Sequence, residues 1–402
     1  MLSRLKVLCL VAAAFMIRPT FGGQTLTAVG MVLSFVAVII HAAERNKFHI
    51  TKRNALILLA ILLFWFYLAL ISVASSTSDK VFFLKAFISN TTIAILFSIA
   101  LSDQKTHNAF FRSFVYVIAI GSLTYWFTVA LSFAYPIERF FLFRLHERGY
   151  YTDTLEAGSV YFPSTIAYQI IHAKSVDLIR NQWLFREAGI AQMFFVWSFI
   201  AASYIYVKNK TIKLFLILGA LSTLSTVILL TLPLAMFINV LAKSDRFNSM
   251  RPPIRTAIFL VFIFTGAGVG YYAIQAAPFI GIAAKSRDAT VSVTNRLSAS
   301  TGGLSDLERH PLGTGLYSSD EHNAGINYLG ASQYIGIPGI LLLLAVYFAA
   351  FYSSRNRYAS MALISPIFIT GLFSQPIIDA PLVYVLLFFN QQQFLVKRFN
   401  NI

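Results

Sequence analysis

The residues best equipped for chemistry lie late in the chain, in a polar, glycine-rich stretch between apolar segments. Arg296 precedes Gly303-Leu304, then come Arg309-His310-Pro311-Leu312-Gly313-Thr314-Gly315, Glu321-His322-Asn323 and Gly336-Ile337-Pro338-Gly339. An arginine fork stays charged and pairs with phosphate oxygens through two parallel bonds. A histidine titrates near neutral pH and can accept a proton from a hydroxyl. Gly313 and Gly315 permit a tight turn that brings backbone N–H groups close to an anion. Residues 304–310 suit a short helix, and His310, set before a proline, suits a turn or cap. Two acidic pairs, Asp306 with Glu308 and Asp320-Glu321 beside His322, offer oxygen ligands for a divalent ion. That spacing is unspecific, and the neighbouring arginines can neutralise an anion unaided, so neither a metal nor another cofactor is expected.

A second group lies in residues 135–186. Arg180, Arg186 and adjacent Glu187 accompany a run of aromatic side chains that includes Tyr161 and Trp183. Aromatic faces stack on sugar rings, and arginines with carboxylates hydrogen-bond sugar hydroxyls, so Trp183 and Tyr161 are candidate glycan platforms. The competing expectation for such aromatics is a belt at the membrane–water interface.

Both groups need a scaffold. Hydrophobic residues make up 57% of the 402 and charged residues 12%, with a mean hydropathy of +0.69. So few charges cannot cover a water-soluble protein of this length. Apolar runs long enough to span a bilayer recur at 5–20, 24–43, 54–75, 81–101, 109–134, 187–207, 211–224, 226–242, 256–276, 334–353, 358–374 and 378–394. The first has a rival in a signal-peptide core at 7–16, but Arg18-Pro19 follows it in place of a small-residue cleavage site, which favours a retained span.

These spans leave two long connections, about 135–186 and 277–333, on one face. The other face receives 19 of the 32 basic residues and 3 of the 16 acidic ones, so the whole net charge of +16 sits there. The positive-inside rule then puts both termini in the cytoplasm and both long loops outside. The basic residues are orientation signals facing anionic lipid, which excludes nucleic acid as the partner implied by the pI near 9.9. A lone cysteine, Cys9, rules out a disulfide framework or a CxxC site. The expectation is an all-α polytopic membrane protein, one integral domain over 1–402, with chemistry at the surface of an apolar scaffold. A transporter would carry ionisable residues in mid-membrane and paired halves, neither of which the sequence displays.

The order Arg296, Gly303-Leu304, His310 to Gly315, His322-Asn323 and Gly336 to Gly339, ending on a span, resembles the signature loop of the O-antigen ligase and O-antigen polymerase superfamily of bacterial envelope glycosyltransferases. Arg180-Asn181-Gln182-Trp183-Leu184-Phe185-Arg186-Glu187-Ala188-Gly189 is similar to an Arg-x-x-Gly-x-Phe-x-Glu-Pro-Gly pattern at the start of a span in many polymerases, with Trp183 and Ala188 in place of Gly and Pro. Thr226 stands where family members often carry an arginine after Thr-x-Ser, so no anion-binding role passes to it. The resemblance implies a GT-C-like fold of about twelve transmembrane helices with two large periplasmic loops, in the bacterial inner membrane. It implies an undecaprenyl-diphosphate-linked oligosaccharide as donor, with a chain-length-regulating co-polymerase and a flippase as partners. Arg296 and Arg180, then Arg309 and Arg186, are the expected diphosphate ligands. His322 is the expected base for the acceptor hydroxyl, with Glu187 as the alternative. Two sizeable outer loops favour a polymerase over a ligase that uses lipid A-core; a lipid-linked oligosaccharide flippase is the alternative of another class.

Overall fold

A computed structural model describes residues 2–45, 49–145, 157–173, 176–205, 209–244, 301–317 and 327–391, with scattered residues between 247 and 268. Its helices are α1 (Leu2–Phe15), α2 (Thr27–Arg45), α3 (Lys52–Ala74), α4 (Lys80–Ala100), α5 (Gln104–Ser132), α6 (Ala188–Ala202), α7 (Lys210–Ser222), α8 (Ile228–Lys243), α9 (Ser332–Tyr352), α10 (Arg357–Phe373) and α11 (Pro381–Leu387). Start signals explain several boundaries. Thr51, Asp79, Asp103, Asn209 and Asn356 each accept a backbone N–H from the first turn of α3, α4, α5, α7 and α10, satisfying donors the helix leaves orphaned.

Five helices, α2, α3, α4, α5 and α9, are long and apolar enough to cross a membrane, and α6, α8 and α10 are shorter apolar helices. These agree with the expected spans to within a few residues, whereas α1 stops at Phe15 and α11 covers only 381–387. The span at 256–276 lies largely outside the described residues. The apolar surface fits a lipid environment: Leu59, Leu63, Phe66 and Leu70 of α3 all point outward, as a helix apolar on every side does in a bilayer.

Helix ends sort into two sets that alternate along the chain. At one end, Lys6 of α1 pairs with Glu44 of α2 at 2.6 Å. There the Arg53 guanidinium also donates to the carbonyls of Leu387 (3.1 Å) and Phe388 (2.9 Å), and Asn356 donates to the Ala242 carbonyl at 3.2 Å. The opposite end gathers residues 15–22, 72–79, 184–189, 311–317, 328–336 and 371–382. Between them α1 packs on α2 and α5, α3 on α4 and α9, and α10 on α6 and α8. The centre is aromatic, with Phe111, Phe114, Phe194, Trp197 and Phe389 in mutual ring contact.

The all-α expectation needs correction in the first long connection. It carries a four-stranded antiparallel meander, β1 (Phe141–Arg144), β2 (Ser159–Tyr161), β3 (Thr165–Ala173) and β4 (Val176–Asn181), in that order. Alternating residues give it one inward face: Ile179, Ala167 and Tyr161 pack on Tyr125 of α5. The Tyr125 hydroxyl donates to the Ile179 carbonyl at 2.8 Å, which docks the sheet on the last turns of α5.

Candidate functional site

The glycine-rich stretch is built into the sheet end of the helices. Residues 301–309 are helical, as expected for 304–310, and the chain then turns at His310, whose carbonyl accepts from Gly313 N–H at 2.8 Å. The following N–H groups do not present an anion site, contrary to the expectation for a glycine turn. Thr314 and Gly315 donate to the carbonyls of Gln333 and Tyr334, each at 3.0 Å, and Leu316 donates to Ser72 Oγ at 3.2 Å. In return Ile337 N–H reaches the Pro311 carbonyl at 2.8 Å, and the Tyr67 hydroxyl donates to the Leu312 carbonyl at 2.6 Å.

This exchange is possible because α9 is broken. Gly336 has φ 66° inside the helix, so its first turn points away from the rest, and a side chain at Gly336 would overlap the Leu312 backbone. Gly313, at φ 87°, faces Tyr334 just as closely. Both glycines are therefore required by conformation and by the approach of two backbones.

Beside this stretch lies a cluster that sequence reasoning missed. Arg18, just past the end of α1, forms an ion pair with Asp379, just before α11. The Tyr317 hydroxyl donates to the same carboxylate oxygen of Asp379 at 2.7 Å. Burial, and then the Asp379 charge, push the Tyr317 hydroxyl well above its ordinary value, so it serves as a neutral donor. Tyr317 itself adopts φ 59°, a strained backbone state for a non-glycine residue. Ion pairing between residues 361 positions apart leaves no trace in local spacing.

The segment 184–187 enters the same region. Phe21 donates to the Leu184 carbonyl at 3.0 Å and Arg186 donates to the Pro19 carbonyl at 3.1 Å, around a bridge between Thr20 and Phe185. Arg186 and Glu187 thus sit next to Arg18 along the backbone, both half-buried. Glu187 opens α6, and Gly189 in its first turn lies so close to Gln375 that a methyl group there would meet the Gln375 amide at 2.6 Å. Arg180 projects from β4, donates to Gln169 Oε1 at 3.2 Å and to the Thr223 carbonyl at 3.4 Å, and lies 5.1 Å from the Tyr168 ring centroid. It therefore approaches the segment that leads from Thr223 to Thr226. Arg309 is exposed and 3.7 Å from Asp306. His322 and Arg296 lie outside the described residues.

The two glycan-platform candidates are corrected by their burial. Trp183 is 6% exposed and packs into the main core against Gly121 of α5. Tyr161 is also 6% exposed, in the small core under the sheet, with Phe141 on its ring. Faces so covered pack protein and cannot stack on a sugar without moving. Among the described residues, no group of three His, Cys, Asp or Glu side chains is arranged to hold a metal ion. Neither the family models nor the curated protein sequences searched give a match to this chain.

Proposed function

We propose that the protein is a polysaccharide polymerase of the bacterial inner membrane, transferring an undecaprenyl-diphosphate-linked glycan onto a sugar hydroxyl of a second lipid-linked repeat unit. The observation that carries this reading is convergence: the stretch resembling the superfamily's signature loop and the segment resembling its Arg…Glu pattern meet at one end of the helices. Those two patches are more than a hundred residues apart in sequence: residues 184–186 bond to the backbone of Pro19 and Phe21, 311–315 bond to the start of α9, and the side chains of Arg18, Asp379 and Tyr317 link the two groups. On the charge asymmetry, that end faces the periplasm and both termini face the cytoplasm.

In this reading the acceptor hydroxyl attacks the donor's anomeric carbon while the anomeric C–O bond to diphosphate breaks. The electron pair leaves with the diphosphate, and the hydroxyl proton passes to His322, with Glu187 as the alternative base. Diphosphate is already a good leaving group, so charge neutralisation matters more than acid assistance. Arg186, Arg180, Arg309 and Arg296 are the arginines that would supply it, through planar guanidinium forks. The polar network between α6, α8 and α10 fits a scaffold better than a carrier. Gln192 donates to Thr370 at 2.7 Å and accepts from Thr231 at 2.9 Å, a neutral network linking α6, α8 and α10 rather than a relay of titrating groups.

The test uses purified protein in nanodiscs with an undecaprenyl-diphosphate-linked oligosaccharide. Lengthened lipid-linked glycan supports the polymerase; transfer only when lipid A-core is supplied indicates a ligase; movement of the unaltered lipid-linked glycan across a vesicle bilayer without lengthening indicates a flippase.

A further inference from the structure

We propose that Arg18 is a diphosphate-binding residue, held in place by Asp379 and Tyr317, and that the short segment after α1 is part of the donor site. The inference rests on the polymerase reading for the identity of the diphosphate, and on the geometry for the residue.

The segment is held from several sides. Thr20 Oγ1 donates to the carbonyls of Phe15 (2.9 Å) and Ile17 (2.8 Å) and accepts from Gly23 N–H at 3.2 Å. Gly23 folds back so tightly that any side chain on it would strike the Arg18 backbone. The Arg18 carbonyl accepts from Leu382 at 3.1 Å, and the Pro19 carbonyl accepts from Arg186 at 3.1 Å. A backbone fixed at both flanks delivers its arginine with little left to order on binding.

The side chain is similarly constrained. Through Nη1 the Arg18 guanidinium meets the same Asp379 carboxylate oxygen that accepts from Tyr317. Yet 32% of the Arg18 side chain stays accessible, against 16% for Asp379. A carboxylate behind an arginine fork is a common way to aim the other edge at phosphate oxygens. A pair needed only for packing has no such requirement, since well-packed apolar residues are often as stable. The Arg186 backbone N–H meets the neighbouring Pro19 carbonyl, which brings the start of α6 alongside this segment. A lipid-linked diphosphate and free pyrophosphate share the recognised chemistry.

The experiment measures binding of undecaprenyl diphosphate and of inorganic pyrophosphate to the intact protein in nanodiscs, for wild type, Arg18→Gln and Arg18→Lys. Arg18→Lys keeps a cation beside Asp379 and preserves the fold, but a point charge cannot reproduce the fork. Both substitutions should weaken undecaprenyl diphosphate at least about 10-fold, with the donor KM rising more than kcat falls. Parallel weakening of pyrophosphate locates recognition in the diphosphate alone; weakening confined to the lipid adds the membrane anchor to it. If Arg18→Gln fails to accumulate, Arg18→Lys decides. Unchanged undecaprenyl diphosphate affinity in a folded Arg18→Lys protein overturns the inference even if the protein makes polymer. Arg18-dependent binding without polymer would leave it standing and remove the polymerase reading.

Discussion

The sheet and the glycine-rich stretch lie at the same end of the helices but are held in different ways. The sheet has a small core of its own and leans on α5 through Tyr125, Thr128 and a few apolar contacts. Residues 311–317 have their hydrogen bonds with the ends of α3, α4 and α9. β4 is also tied to the end of α7 through Asn181 and Arg180, so the freer part of the sheet is its β1–β2 edge, whereas the glycine stretch cannot move without the helices.

That contrast is broken most severely at Gly336. Gly336→Ala forces a side chain into the Leu312 backbone at a positive φ, costing about 4–5 kcal/mol; folded protein on fluorescence-detected size exclusion should nearly vanish. Trp183→Ala, at the junction of sheet and helices, should cost about 3–4 kcal/mol by leaving a cavity. Thermal unfolding in detergent would then show lost stability, where a glycan platform would show only lost substrate use. Tyr317→Phe removes a hydrogen bond to a carboxylate, worth about 2 kcal/mol. Because the Tyr317 hydroxyl is raised in the fold, its contribution is complete below its ordinary 10.0 and declines as pH rises through the raised value. Stability measured against pH should therefore lose part of its alkaline fall in Tyr317→Phe.

Tyr125→Phe sharpens the comparison from the other side. It loosens the sheet by about 1 kcal/mol, visible as faster hydrogen exchange in β3 and β4 with the glycine stretch unaffected. The smallest effect on stability belongs to Arg309→Ala, below about 0.5 kcal/mol for so exposed a pair. A large fall in glycan lengthening at unchanged melting temperature would assign Arg309 to the diphosphate; unchanged lengthening would remove it.

Much of this arrangement was legible before any coordinates. Hydropathy located the five helices long and apolar enough to cross a membrane and the three shorter apolar ones, because bilayer thickness imposes a length on a span. The sheet was not legible, because β1 and β2 are only four and three residues long and Lys174-Ser175 between β3 and β4 lacks the Asn-Gly or Asp-Gly signature of a tight hairpin. Trp183 and Tyr161 misled because an aromatic side chain looks the same in sequence whether it faces a sugar or a core. Gly313 and Gly315 were recognisable as turn residues. Their N–H groups were not, since the carbonyls of Gln333 and Tyr334 become available only when α9 breaks at Gly336. Arg18 resembled a flank of a hydrophobic segment until Asp379 appeared beside it.

The helices differ in length, and the difference bears on the surrounding lipid. α3 has 23 residues and α5 has 29, but α6 has 15, α8 has 16 and α10 has 17. At about 1.5 Å per residue, the last three reach only about 22–26 Å, less than the roughly 30 Å hydrocarbon layer of an ordinary bilayer. Hydrophobic mismatch on that flank is relieved by thinning of the membrane or by burial against neighbouring helices. α6 is buried along nearly its whole length, so its shortness is met by neighbouring helices, and any such dimple lies beside α8 and α10.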